Sequence, residues 1–225
     1  MSGSLDIVWL WSGAAGARVG RNLLPLLTGA VVAISPPAAM AQLDLLKDCQ
    51  RYDHSERAIR ACTELLRVHP DAAPIYNHRG IAYMQRGELA RAVADYTEAI
   101  RLSPRDAWPH YNRGRALLEQ NDFAGAIEDF TQALARRGDN ALAYNGRAWG
   151  YYKLGKLDEA MHDVNRALAF DPHYAAAFDT RGHLYEALGK TDAAIADLRH
   201  ALKLDPANPL AHITREALQR LGAKR

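Results

Sequence analysis

Residues 141–174 read ALAYNGRAWGYYKLGKLDEAMHDVNRALAFDPHY, and residues 175–208 read AAAFDTRGHLYEALGKTDAAIADLRHALKLDPAN. Set one above the other, they place Arg147 over Arg181, Gly155 over Gly189, Ala160 over Ala194, Asp163 over Asp197, Ala167 over Ala201 and Pro172 over Pro206. A repeat of 34 residues follows, and it extends upstream through residues 107–140, 73–106 and 39–72. The twentieth residue of every block is alanine: Ala58, Ala92, Ala126, Ala160 and Ala194. Fixed self-similarity at this period is the signature of a stacked repeat architecture.

Within a block, apolar residues at positions 4, 7, 8 and 11 and again at 20, 24, 27 and 28 recur at helical spacing, which predicts two amphipathic helices. The fifteenth position carries Gly87, Asn121, Gly155 or Gly189, residues suited to the turn that ends a helix. Position 32 is Pro70, Pro104, Pro172 or Pro206, which cannot continue the second helix. Small residues at positions 8 and 20 allow the helices of a hairpin to approach closely. Larger ones at 11 and 24, such as Tyr83 with Tyr96 and Leu117 with Phe130, fill the space between them. A single hairpin cannot bury its apolar face alone, so the hairpins must stack.

Composition excludes several function classes. The 225 residues are 48% hydrophobic and 24% charged with a formal charge of +2, so no strong field recruits nucleic acid or an anionic membrane. Nine His are present, but none lie three or four apart on one helix, and no metal site is expected. The chain holds no H-E-x-x-H, G-x-S-x-G, phosphate loop or C-x-x-C-H motif, so catalytic residues and cofactors are expected to be absent.

The N-terminus reads as an export signal over residues 1–41. Arg18 and Arg21 precede an apolar run from Leu23 to Ile34, then the helix-breaking Pro36-Pro37 and Ala39-Met40-Ala41, whose small residues suit a signal peptidase. Cleavage would start the mature chain at Gln42. The alternative is a membrane anchor, yet the run is interrupted by Pro25 and far short of the roughly 20 residues needed to span a bilayer. Typical signals are about 15–30 residues, and an initiation at Val19 in place of Met1 would bring this one into range. Without Arg18, Arg21 and Asp6 the remainder carries 26 basic and 25 acidic residues.

The blocks resemble tetratricopeptide repeats over residues 39–208. The resemblance implies an all-α, right-handed solenoid of five helical hairpins (39–72, 73–106, 107–140, 141–174, 175–208), with a capping helix over 209–221, together forming one solenoid domain, 42–225. It implies a scaffold that holds a protein or peptide in the groove lined by its first helices. By that resemblance the groove is lined at positions 2, 5, 9, 12 and 13, here Asn77, Ile81, Met84, Trp108, Tyr111, Arg115, Leu118, Asn145, Trp149, Tyr152, Lys153, Asp179, His183 and Glu186. The spacing puts them on one face of each helix, distinct from the core face and expected to be exposed. Tyr, Trp and Arg most often anchor protein contacts, although rings on a repeat also pack on the neighbouring repeat. The family's clamp for a C-terminal carboxylate is absent, since position 9 reads Lys47, Ile81, Arg115, Trp149 and His183.

The first block, with its A-I-R-A-C-T after a Cys and a short turn, resembles exported bacterial tetratricopeptide proteins whose first hairpin is cross-linked. Cys49 and Cys62 are the only cysteines, and an oxidising compartment favours pairing. Facing helices would bring their Cα atoms to about 6–7 Å, within bridging range; two unlinked core thiols are the alternative. Position 7 is Arg79, Arg113, Arg147 and Arg181, and position 23 is Asp95, Asp129, Asp163 and Asp197, while the first block loses both charges as Leu45 and Ala61. Four structural Arg–Asp pairs are therefore expected, within a hairpin or with the preceding one; a basic stripe would leave the matched Asp unexplained. The expected protein is periplasmic or secreted, with no nucleic-acid partner and no stable membrane insertion after cleavage. It acts in envelope assembly or maturation, or alternatively as a self-associating structural module.

Overall fold

The repeat period becomes helix–turn–helix units because each block supplies two amphipathic segments separated by a residue able to reverse the chain. In the computed structural model, which describes residues 36–51, 53–208 and 211–223, the helices are α1 (Pro36–Cys49), α2 (Ser55–Val68), α3 (Ala73–Gln85), α4 (Leu89–Leu102), α5 (Ala107–Glu119), α6 (Phe123–Arg136), α7 (Ala141–Lys153), α8 (Leu157–Phe170), α9 (Ala175–Ala187), α10 (Thr191–Leu204) and α11 (Ala211–Arg220). Among the described residues there is no strand. Five hairpins and a closing helix are thus the all-α architecture the repeat predicts.

The turn after each odd-numbered helix from α3 to α9 has one geometry. Gly87, Gly155 and Gly189 adopt φ of 72°, 73° and 69°, and Asn121 takes 62° in the same role. The amide of Glu88, just past the end of α3, donates to Tyr83 O at 2.9 Å, and Gly87 N donates to Met84 O at 2.9 Å. Lys156 and Gly155 repeat this pair after α7, and Lys190 and Gly189 after α9. These bonds satisfy the carbonyls that a helix end leaves open. Asp122 caps α6 by accepting from Gly125 N, and Asn140 caps α7 by accepting from Ala143 N.

The chain divides into two compact units between Ala116 and Leu117, inside α5. In the first, Cys49, Ala61, Cys62, Leu65, Leu66, Ala72 and Ile75 form one core cluster, and Met84, Ala92, Tyr96 and Ala116 another. Gly80 is where Tyr96 needs room: a Cβ there would lie 2.6 Å from the ring. In the second unit, Ala148, Ala160, Val164, Ala167, Tyr174, Ala176, Ala177 and Leu184 pack together.

Cys49 and Cys62 are joined as a disulfide, with Cα atoms 4.8 Å apart, closer than ideal facing helices predict, and both are buried. The expected signal lies largely outside the described residues. Its last part does not: Pro36 and Pro37 open α1, because proline fits a first helical turn, whose amides have no intrahelical partner. The expected cleavage point after Ala41 falls inside α1, where Met40 and Ala41 are exposed.

Candidate functional site

The odd-numbered helices carry every residue that the spacing assigns to a groove. In the first unit, α3 presents Asn77, Ile81 and Met84, and α5 presents Trp108, Tyr111 and Arg115. Trp108 is at the edge of exposure and meets the buried Tyr111 edge-on, with ring centroids 5.8 Å apart. The Arg115 guanidinium lies 5.8 Å from the Tyr111 ring centroid. Asn112 on α5 donates to Asn77 Oδ1 on α3 at 2.9 Å. Met84 is buried against Tyr96, whose hydroxyl donates to its sulfur at 3.9 Å.

In the second unit, α7 presents Asn145, Trp149 and Tyr152, and α9 presents Asp179, His183 and Glu186. Trp149 and Tyr152 have ring centroids 5.2 Å apart, and Trp149 meets His183 across the two helices at 6.2 Å. His183 lies between two carboxyls, its Nε2 3.5 Å from Asp179 Oδ2 and its Nδ1 3.4 Å from Glu186 Oε2. From α11, Thr214 donates to Asp179 Oδ1 at 2.9 Å and Arg220 pairs with Glu186 at 3.1 Å. The Lys153 ammonium lies 5.7 Å from the Trp149 ring centroid.

This face is less open than helical spacing alone predicts. Met84, Tyr111, Leu118, Asn145, Trp149, Asp179 and His183 are buried, and Asn77, Ile81, Arg115, Tyr152, Lys153 and Glu186 are half-buried. The reason is that, within each unit, successive odd-numbered helices lie side by side. Position 5 of one repeat bonds to position 6 of the next, as in Asn77 with Asn112 and Asp179 with Thr214.

Burial has two electrostatic consequences. It raises the Asp179 carboxyl well above the usual carboxylate range, against a Thr214 hydrogen bond that lowers it. It also leaves Asn145 Oδ1, Trp149 Nε1 and Asp179 Oδ2 buried without a hydrogen-bond partner. Such atoms cost roughly 1–3 kcal/mol each while unpaired.

The Arg and Asp stripes lie elsewhere on the repeat. Arg79 holds Asp95 through two bonds of 2.8 Å. Arg147 holds Asp163 at 2.6 and 3.0 Å, and Arg181 holds Asp197 at 2.6 and 3.1 Å. Each of these Arg also donates backwards from Nη1, to Thr63, Thr131 and Asn165 respectively, and Arg113 donates to Thr97. Arg113 and Asp129 fall on opposite sides of the division within α5, and Asp129 is buried. The choice between own hairpin and preceding hairpin is thus answered by both: the carboxylate is in the same hairpin and the hydroxyl or amide in the one before. Residues 63, 97, 131 and 165 all stand at position 25, a polar periodicity that the sequence displayed and that apolar patterning passed over.

Two family models described as tetratricopeptide repeat match residues 150–219 and 111–175, and a third, described as TPR repeat, matches 80–120. Together they span more than half of the chain. The chain belongs to the tetratricopeptide-repeat family. Its fold is similar to that of MamA from Desulfovibrio magneticus RS-1, at TM-score 0.66 and 20% identity over 76% of this chain and 97% of that one. It is also similar to YrrB, described as a TPR protein with an unusual peptide-binding site, at TM-score 0.59 and 20% identity over 80% and 89%. A thermophilic TPR protein of Thermus thermophilus matches at TM-score 0.63 and 18% identity over 80% and 96%. No curated protein matches.

Proposed function

We propose that this chain is an exported, non-catalytic scaffold that takes a segment of a partner protein along the face of its odd-numbered helices, serving assembly or maturation of the cell envelope. The observation that carries the reading is the set of buried polar atoms left unpaired on that face, among them Gln85 Oε1, Arg115 Nε, Asn145 Oδ1, Trp149 Nε1 and Asp179 Oδ2, together with the rings of Trp149 and Tyr152. A polypeptide segment offers alternating donors and acceptors that suit such atoms. Export is supported by the Arg-apolar-Ala39-Met40-Ala41 order and by a disulfide between the only two cysteines, since disulfides persist in oxidising compartments.

Because Trp149 is buried, truncating it to Ala would mix packing with recognition. Trp149→Phe keeps a ring and removes the N–H, and Tyr152→Ala trims a half-buried ring. The double variant is expected to weaken capture of the partner from envelope extract by about 2 kcal/mol, with its melting temperature shifted by only a few degrees. Unchanged capture together with a collapse of stability would make these rings packing residues.

A further inference from the structure

On that reading of the odd-helix face, its chemistry can be made more specific. We propose that the α5 face of the first unit receives an acidic side chain, Asp or Glu, from within the partner segment, with Arg115 as its counter-ion and Trp108 as the ring that meets an apolar residue nearby in that segment.

Position 9 of the repeat carries three ionisable side chains, and two of them already meet carboxyls. Lys47 pairs with Asp44 at 3.0 Å, and His183 lies within 3.5 Å of both Asp179 and Glu186. The arginines at position 7 are answered too: Arg79, Arg147 and Arg181 each hold an Asp. Arg115 differs from all of these. Among the described residues no carboxylate pairs with it, its Nε is buried without a hydrogen-bond partner, and what lies against the guanidinium is the Tyr111 ring, 5.8 Å to the centroid. A half-buried cation in this state has shed part of its water without gaining an anion, which is unfavourable.

The cation is open to an arriving group. Arg115 is half-buried and not enclosed, and of its nitrogens only Nε is both buried and unpaired, so the two terminal nitrogens are the wet end of the guanidinium. Those two nitrogens can take both oxygens of one carboxylate. Trp108, 37% exposed, stands seven residues earlier on the same helix face. At 1.5 Å per residue that is about 10 Å. Residues three apart in an extended or polyproline-like segment span about 9–10 Å, so one short segment reaches both. The surroundings add no competing charge: Ile81 stands at position 9 of the preceding repeat, and Asn112 donates to Asn77. A basic side chain would be repelled by Arg115, and a neutral one would leave it uncompensated. The carboxylate is that of a side chain, since the convergent set of basic and amide groups that clamps a chain terminus is absent.

The test is selection of random displayed dodecapeptides on the purified chain, followed by affinity measurements on the recovered sequences, synthesised with amidated C-termini. An acidic residue at one register is expected to be enriched. Changing it to the matching amide, Glu to Gln or Asp to Asn, should weaken binding about tenfold. Arg115→Gln should abolish the preference for the acid over the amide. Arg115→Lys, which keeps the charge and loses the fork, should retain part of it and serves where the first variant does not fold. Enriched peptides without an acidic residue, loss of binding on C-terminal amidation, or a folded Arg115→Gln that keeps the preference would each overturn this proposal and leave the groove reading standing. No enrichment at all overturns both.

Discussion

His78 is the residue whose environment speaks most directly about pH. It sits buried on α3, and burial lowers its pKa from 6.5 to about 4. The folded state resists the proton that the unfolded chain accepts below about 6.5. The resulting stability is therefore complete above that pH and is lost as pH falls towards 4. A separation of this size corresponds to about 3 kcal/mol. Urea unfolding is expected to show a loss of about 2–3 kcal/mol between pH 7 and pH 4.5 that His78→Gln does not show. An equal loss in the variant would assign the acid sensitivity to other groups. Asp179 has the opposite sign: its raised pKa means that the folded state holds the proton more tightly, so its burial is least costly in acid.

At the scale of elements, the Arg at position 7 ties three helices together. Arg147 on α7 holds Asp163 on α8 and reaches back to Thr131 on α6. Asp163 is nearly inaccessible, its side chain 2% exposed, so the carboxylate depends on this partner. Removing one member of a buried pair strands a charge, while removing both does not. Arg147→Leu is expected to cost about 3–5 kcal/mol, and Arg147→Leu with Asp163→Leu less than that single change. Additive losses in the cycle, read by thermal melting, would mean that the two side chains contribute independently and not as a pair. The matched charges were legible because five copies within one chain vary together. The backward bond was not, since position 25 is Thr in three blocks, Asn165 in the fourth and Arg199 in the last, and takes no part in the apolar pattern.

For the whole molecule, the question is what the mature chain contains. Cleavage after Ala41 would remove the first six residues of α1 and leave Gln42–Cys49 held by the Cys49–Cys62 disulfide. That bond joins residues 13 apart in sequence, near the loop size of about 15 residues for which cross-linking contributes about 3 kcal/mol, enough to retain a shortened terminal helix. Mass spectrometry of the protein from its native host is expected to find an N-terminus at Gln42. A chain recovered with residues 1–41 attached and retained in the membrane would overturn the export reading.

What the sequence determined by itself is the repeat: helix positions, turn residues, the small residues at close approaches and the Arg–Asp register. These are properties of local spacing, and a period of 34 residues read five times leaves little freedom in them. It also marked the two cysteines, because facing positions on one short hairpin suffice. Only the tertiary structure decided how open the odd-helix face is. Helical spacing says which residues share a face, but the next repeat's helix determines how much of that face water reaches, and it buries Asn145, Trp149 and Asp179 almost completely. The unpaired atoms that give the face its chemistry arise from that burial, between helices 34 residues apart in sequence, and no window along the chain contains them.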